Sequence, residues 1–180
     1  MRRIVILGCA GSGKSTLAKH LAERLGTPVI HLDALNWEPG WKTVTIETFR
    51  ARLKEAISGD RWITDGNFAI ASFDLRMSRA DLVIWVERPF LGCLWRVFQR
   101  ALKSHFSAKE DLAECKERFD RRFLGRLQFI ANFNRVNRPR IERMRVSHGP
   151  KVPVIYCAAM SRSRSSSIRF RRVASRMLRS

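Results

Sequence analysis

The sequence predicts an α/β fold in three layers, with helices on both faces of a five-stranded parallel sheet. Two observations carry that expectation. Short apolar runs alternate with helical stretches along the chain, the order that builds parallel strands through right-handed crossovers. A glycine-rich turn, Gly8-Cys9-Ala10-Gly11-Ser12-Gly13-Lys14-Ser15, joins the first apolar run to the first amphipathic stretch. Such sheets place ligand sites at the carboxyl ends of their strands, so the residues that close each run are the ones to inspect for chemistry.

Residues 4–7 form the first strand, and a helix follows over about 13–25 with Leu17, Ala18, Leu21, Ala22 and Leu25 on one face and Gly26 as its stop. Residues 28–32 form the second strand, ending at Asp33, and 34–44 are a loop holding Asn36, Trp37, Pro39, Gly40 and Trp41. The next helix, about 46–57, buries Phe49, Leu53, Ala56 and Ile57. Residues 61–64 are the third strand, closed by Asp65-Gly66, and the unbroken apolar run 82–86 is the fourth. Pro89 suits the first turn of a helix reaching about Ser104. A polar break at 105–109 precedes further helix, bent near Asn137-Arg138-Pro139. Residues 152–156 are the fifth strand, and 168–178 a closing helix with Val173, Ala174, Met177 and Leu178 inward. The whole reads as one domain over residues 1–180.

Composition narrows the class. Apolar residues at 45% and charged residues at 28% suit a globular chain, and no apolar run is long enough to span a bilayer. The opening Met1-Arg2-Arg3 resembles an export signal, but its apolar run breaks into glycines after four residues, so a cytoplasmic protein with no membrane partner is expected. Cys9, Cys93, Cys115 and Cys157 lack metal-ligand spacing and are expected as reduced thiols. The net charge of +19 is lopsided: 12 basic and 10 acidic residues up to Glu87, then 23 and 6 beyond it. That excess suits a polyanion, whether phosphorylated ligand or nucleic acid, and equally suits a solvated arginine-rich surface. The tail arginines Arg162, Arg164, Arg169, Arg171, Arg172, Arg176 and Arg179 stay open between those readings, and no known nucleic-acid motif accompanies them. The oligomeric state is not legible.

The turn fits GxxxxGK[ST], and a strand before it with a helix after it gives the motif its meaning. Main-chain N–H groups of Gly8, Ala10, Gly11, Ser12 and Gly13 are expected to line a phosphate cradle at the helix N-terminus. Lys14 reaches the β/γ phosphates, Ser15 ligates Mg²⁺, and Thr16 touches the α-phosphate. ATP with Mg²⁺ is therefore the expected cofactor pair, and Cys9 fills space beside the strand.

At this point the chain resembles the small P-loop kinases of the adenylate kinase/shikimate kinase type. Asp65-Gly66-Asn67-Phe68 resembles the Asp-Gly-Phe-Pro-Arg element of adenylate kinases. His31-Leu32-Asp33-Ala34-Leu35-Asn36-Trp37, Pro39-Gly40-Trp41, Trp62-Ile63-Thr64-Asp65-Gly66-Asn67-Phe68 and Glu117-Arg118-Phe119-Asp120 resemble most the bacterial group called DNA topology modulation proteins, which are adenylate kinase-like; the likeness covers residues 1 to about 145. It implies a P-loop NTPase domain with an acceptor-side insertion at about 34–60 and a lid-like segment at about 104–124. It also implies that Asp65 holds Mg²⁺ through water, although a turn or N-cap Asp would look the same. Asp33 stands where related kinases present a carboxylate to the acceptor, and could orient a hydroxyl or take its proton; a structural role remains open. Trp37 and Trp41 either stack on the acceptor or form hydrophobic cover.

Phosphoryl transfer needs positive charge around the migrating group. Arg96 and Arg100 share one helical face, as do Arg118, Arg121 and Arg122, and these flank the lid-like segment. Two departures stand out. The arginine that binds the acceptor phosphate in adenylate kinases corresponds to Ala69, with Arg76 or Arg79 as possible substitutes, and the lid lacks the arginine-rich stretch of the DNA topology group at 105–109. The expected function is an ATP-dependent phosphotransferase acting on a small-molecule acceptor whose pocket is set by loops 34–44 and 66–80. The alternatives are a nucleotide-dependent protein acting on nucleic acid, and a weak ATPase without efficient acceptor transfer.

Overall fold

The computed structural model describes residues 2–38, 42–106 and 121–158. Five strands make one parallel sheet: β1 (Arg3–Gly8), β2 (Val29–His31), β5 (Trp62–Asp65), β6 (Leu82–Glu87) and β7 (Val154–Ala158), in the order β2-β5-β1-β6-β7. A two-stranded antiparallel ribbon, β3 (Trp37–Glu38) with β4 (Lys42–Thr43), stands apart from it. β1 lies at the centre, registered Ile6 to Asp65 on one side and Gly8 to Val86 on the other. The phosphate loop therefore leaves the sheet between the ends of β5 and β6.

β1 and β6 are near-continuous apolar runs because both of their faces are covered. Ile4, Ile6, Ile63, Ile84 and Val86 turn to one side, where α1 (Lys14–Leu25) lays down Leu17, Ala18 and Leu21. Val5, Leu7, Trp62, Val83 and Trp85 turn to the other, against α3 (Ile46–Ala56), α4 (Ala69–Met77), α5 (Phe90–Phe106), α6 (Arg121–Asn132) and α7 (Arg138–His148). This is the three-layer α/β fold read from the sequence. Gly26 ends α1 in the left-handed region, φ 57°, and its N–H bonds to the Ala22 carbonyl. Among the described residues no helix is long and apolar enough to cross a membrane.

Several local expectations change. The second strand stops at His31, and Asp33 sits in the first turn of a short helix, α2 (Leu32–Asn36), rather than at a strand end. The stretch after it is the β3/β4 ribbon and not plain loop. Within 66–80, residues expected as loop, Ala69–Met77 form α4, which buries Phe73 and Met77. The last strand runs Val154–Ala158, two residues later than expected. Before Pro139 the helix takes a π-helical turn over Phe133–Asn137, and Pro139 follows as the second residue of α7. The lid-like segment lies largely, and the closing helix wholly, outside the described residues.

Candidate nucleotide and phosphoryl-transfer site

The loop is held from three sides. On Gly8 (φ 145°) a Cβ would stand 2.4 Å from the Val86 carbonyl oxygen, and on Gly11 (φ 76°) it would stand 2.4 Å from that of Cys93. Both positions need glycine for backbone conformation and for space at once. Arg96 of α5 lies over the end of the loop, its Nη1 2.9 Å from where a Cβ on Gly13 would be. Arg88, just past β6, donates from Nε to the Ser12 carbonyl at 3.2 Å.

Lys14 opens α1 and donates from Nζ to the Cys9 carbonyl at 2.8 Å, so its ammonium is folded back over the loop. Desolvation holds its pKa below the ordinary lysine value, against the pull of Asp65 and Asp33. Ser15 and Thr16 are exposed in the first turn of α1. The Ser12 hydroxyl is fully buried without a hydrogen-bond partner. An N-terminus of twelve-residue α1, main-chain N–H groups and three cations converge here, an arrangement suited to a polyphosphate.

Asp65 is 6% exposed at the end of β5. Its Oδ2 accepts from His31 Nδ1 at 3.1 Å, while Oδ1 is buried with no partner. A buried carboxylate oxygen left open beside Lys14 fits a divalent cation or its water shell. Among the described residues no cluster of three His, Cys, Asp or Glu could hold a metal by itself. A cation here would draw on Asp65, the Ser15 hydroxyl, water and phosphate oxygens, which is the donor set Mg²⁺ favours. Two residues on, Asn67 grips the loop with both ends of its amide: Nδ2 donates to the Gly8 carbonyl at 3.0 Å, and Oδ1 accepts from the Gly8 N–H at 3.2 Å. Its side chain thus extends the β1–β5 ladder past the end of β5.

Asp33 faces this centre from α2. Its surface is open to water, yet the cleft walls desolvate the carboxyl enough to raise its pKa; Asp65 adds to the rise, and Lys14, Arg126 and Arg100 oppose it. The Asp33 carboxylate therefore shares a field with the loop lysine, the β5 carboxylate and two arginines from α5 and α6.

A family profile described as an AAA domain matches residues 3–37, which span β1, the loop, α1 and α2. A shikimate kinase from Persephonella marina is 31% identical over 138 residues, covering 68% of this chain and 82% of that protein. This chain belongs to the small P-loop kinases that include shikimate kinase. Among solved structures, shikimate kinase from Acinetobacter baumannii in complex with shikimate superposes with a TM-score of 0.57 at 17% identity, covering 99% of this chain and 93% of that one. Deoxyadenosine kinase from M. mycoides, with dCMP and dCDP bound, gives 0.54 at 13% identity, covering 99% of this chain and all of the other. At these identities the two structures speak for the fold.

Within this P-loop kinase the sequence-predicted residues fall into three groups. Gly8 to Thr16, Asp33, Asp65 and Arg96 come together, and Arg100 acts on Asp33 from α5. Arg118 and Trp41 lie outside the described residues, as do the tail arginines; Arg122 lies on α6, where its backbone alone is described. Arg76 and Arg79 cannot replace the acceptor-binding arginine. Arg76 is fully buried, donating to the Gly66 carbonyl at 3.0 Å, to the Asn67 carbonyl and to the Ser72 hydroxyl at 3.0 Å. Arg79 is spent on the carbonyls of Ile57, Ser58 and Gly59 beyond α3. Sequence reasoning missed Arg88, Arg126 and the Asn67 grip. Arg126 lies one turn beyond Arg122, so helical spacing could have flagged it; Arg88 and Asn67 act across strands and carried no local signal.

Proposed function

We propose that this kinase transfers the γ-phosphoryl group of MgATP to a hydroxyl of a small anionic acceptor. The observation that carries the reading is Asp33, set beside Lys14 and Asp65 and flanked in charge by Arg100 and Arg126. Lys14 and the loop N–H groups bind the phosphates, and Arg96 adds positive charge over the loop. Mg²⁺, held by Ser15 and through water by Asp65, would neutralise β/γ oxygens. Asp33 orients the acceptor hydroxyl and takes its proton, while Arg100 and Arg126 favour an acceptor bearing carboxylate or phosphate. The adenylate kinase reading, with AMP as acceptor, lacks support because Ala69 carries no charge and Arg76 and Arg79 are engaged elsewhere.

The test is ADP release with MgATP across shikimate, other hydroxy acids, deoxynucleosides and AMP, beside the Lys14→Ala variant. A single anionic class should accelerate release, and Lys14→Ala should lose ATP binding by calorimetry. Equal ADP release with every acceptor and with none would overturn the reading in favour of an ATPase.

A further inference from the structure

The phosphate loop does not by itself determine where the Asp65 carboxylate points; a residue on the neighbouring strand does. β2 and β5 run parallel with His31 opposite Asp65, so the two residues stand side by side at the carboxyl edge of the sheet. His31 is also the N-cap of α2, a position that favours Ser, Thr, Asp or Asn because their side-chain oxygens bond the first free N–H groups. The imidazole makes no such cap. It reaches across to β5 instead, where its Nδ1 lies 3.1 Å from Asp65 Oδ2. An ionised carboxylate can only accept, so the proton of this bond is on Nδ1.

The bond sorts the two oxygens of Asp65. Oδ2 is taken by His31, whereas Oδ1 is buried with no partner. The oxygens of one carboxylate diverge, so holding Oδ2 toward His31 turns Oδ1 away from β2. β5 lies between β2 and β1, and the phosphate loop leaves from the end of β1. On the loop side, Asp65 is the charge that most favours the Lys14 ammonium. A buried oxygen without a partner costs free energy, and in a folded chain it calls for an account of what meets it. The His31 side chain is 36% exposed, so the fold does not depend on its bulk.

We infer that His31 is a positioning residue: its bond to Oδ2 holds Asp65 in the orientation that presents Oδ1 to the water shell of a nucleotide-bound divalent cation. The inference rests on the reading of Asp65 as the carboxylate for Mg²⁺ and extends it to a residue that touches neither cation nor nucleotide. Without the bond, the carboxylate turns about its two side-chain torsions and must be ordered each time a cation arrives. Removing such an outer partner typically costs about 10–100-fold in metal affinity, and because Asp65 acts through water the loss here falls at the low end, about tenfold. His31 also begins α2, so one hydrogen bond ties the cation-side carboxylate to the helix that carries Asp33.

The experiment measures binding by calorimetry and needs no acceptor. The full chain is titrated with the β,γ-imido analogue of ATP, once in excess Mg²⁺ and once in EDTA, and the ratio of the two affinities is the Mg²⁺ enhancement. Asp65→Ala should remove most of it. His31→Ala, and His31→Phe, which keeps a ring but has no N–H, should each lose about tenfold of the enhancement while the affinity in EDTA stays near wild type. A side chain that only filled space would be replaced by phenylalanine without loss, and one that only supported the fold would weaken both titrations alike. In His31→Phe/Asp65→Ala the enhancement should equal that of Asp65→Ala, because a positioning residue has no effect once its target is gone. Thermal unfolding checks that the titrated chains are folded. A wild-type enhancement in either His31 variant, equal weakening of both titrations, or a further loss in the double variant overturns the role given to His31 and leaves the phosphotransfer reading standing. A wild-type chain with no enhancement, or Asp65→Ala with all of it, removes Asp65 from the cation and His31 with it. Transfer to an acceptor plays no part in the readout, so an ATPase outcome in the acceptor panel leaves this inference intact.

Discussion

The Asn67 grip on Gly8 gives the sharpest test of how the site is held. Asn67→Ala deletes both hydrogen bonds, at 3.0 and 3.2 Å, and leaves the N–H and carbonyl of buried Gly8 without those partners. A neutral hydrogen bond is worth about 0.5–1.5 kcal/mol net, and a partner stranded in a buried place costs about 1–3 kcal/mol. The variant should therefore lose about 2–4 kcal/mol of stability. For a chain of this size that lowers Tm by about 5–15 °C, at about 2–4 °C per kcal/mol. Urea unfolding followed by tryptophan fluorescence measures the loss directly. Asn67→Asp sharpens the test, because it keeps an acceptor for the Gly8 N–H but turns the donor into a carboxylate oxygen facing the Gly8 carbonyl. It should be at least as unstable as the alanine variant and should bind ATP more weakly, since it adds negative charge next to the cradle. If Asn67→Ala unfolds within about 0.5 kcal/mol of wild type, the grip contributes nothing and the reasoning fails.

Two further outcomes follow from charge placement. Asp33 has a raised pKa in the folded chain, so kcat/KM should fall as pH drops through a value above the ordinary carboxylate range, and Asp33→Asn should remove turnover. The sign for stability is the reverse: the folded state binds that proton more tightly than the unfolded one, so ionised Asp33 destabilises at neutral pH, and Asp33→Asn should unfold at a higher temperature than wild type near pH 7. An asparagine variant that keeps turnover, or one with lowered Tm, would count against the assignment. Arg76→Lys keeps the charge but cannot reach the Gly66 carbonyl, Asn67 carbonyl and Ser72 hydroxyl together. It should cost about 2–4 kcal/mol by the stranded-partner penalty while leaving the KM for acceptor near wild type; a raised acceptor KM at unchanged Tm would restore Arg76 to substrate binding.

Much of this site was legible because it is contiguous. Gly8 to Thr16 declares itself in one stretch, and the alternation of strands and helices sets the sheet around it. Asp33 was singled out but misplaced: α2 is five residues long, too short for helical spacing to stand out from a strand that ends in a polar residue. α4 hid for a similar reason, with its buried pair Phe73 and Met77 enclosed between turn residues. Arg76 was read as a possible substitute for the acceptor-binding arginine because its partners are mainly carbonyls of the main chain, which no sequence displays. Arg88 offered even less, as a lone residue between a strand and Pro89 whose target, Ser12, is reached only once β6 has paired with β1.

That dependence on pairing makes the loop something other than a local motif. The Asn67 contacts span 59 positions, and the Arg88 bond to Ser12 spans 76. Each requires β5 or β6 to have docked on β1 first, so chain-closure entropy is overcome before the cradle takes shape. Competence to bind nucleotide should thus arise with global folding, and no fragment ending before β6 contains it. The same connection works in reverse. Ligand at one hundred times its Kd adds about 2.7 kcal/mol to whatever must be intact to hold it, and here that is the central sheet, which makes a thermal shift with nucleotide a report on the topology as much as on the pocket.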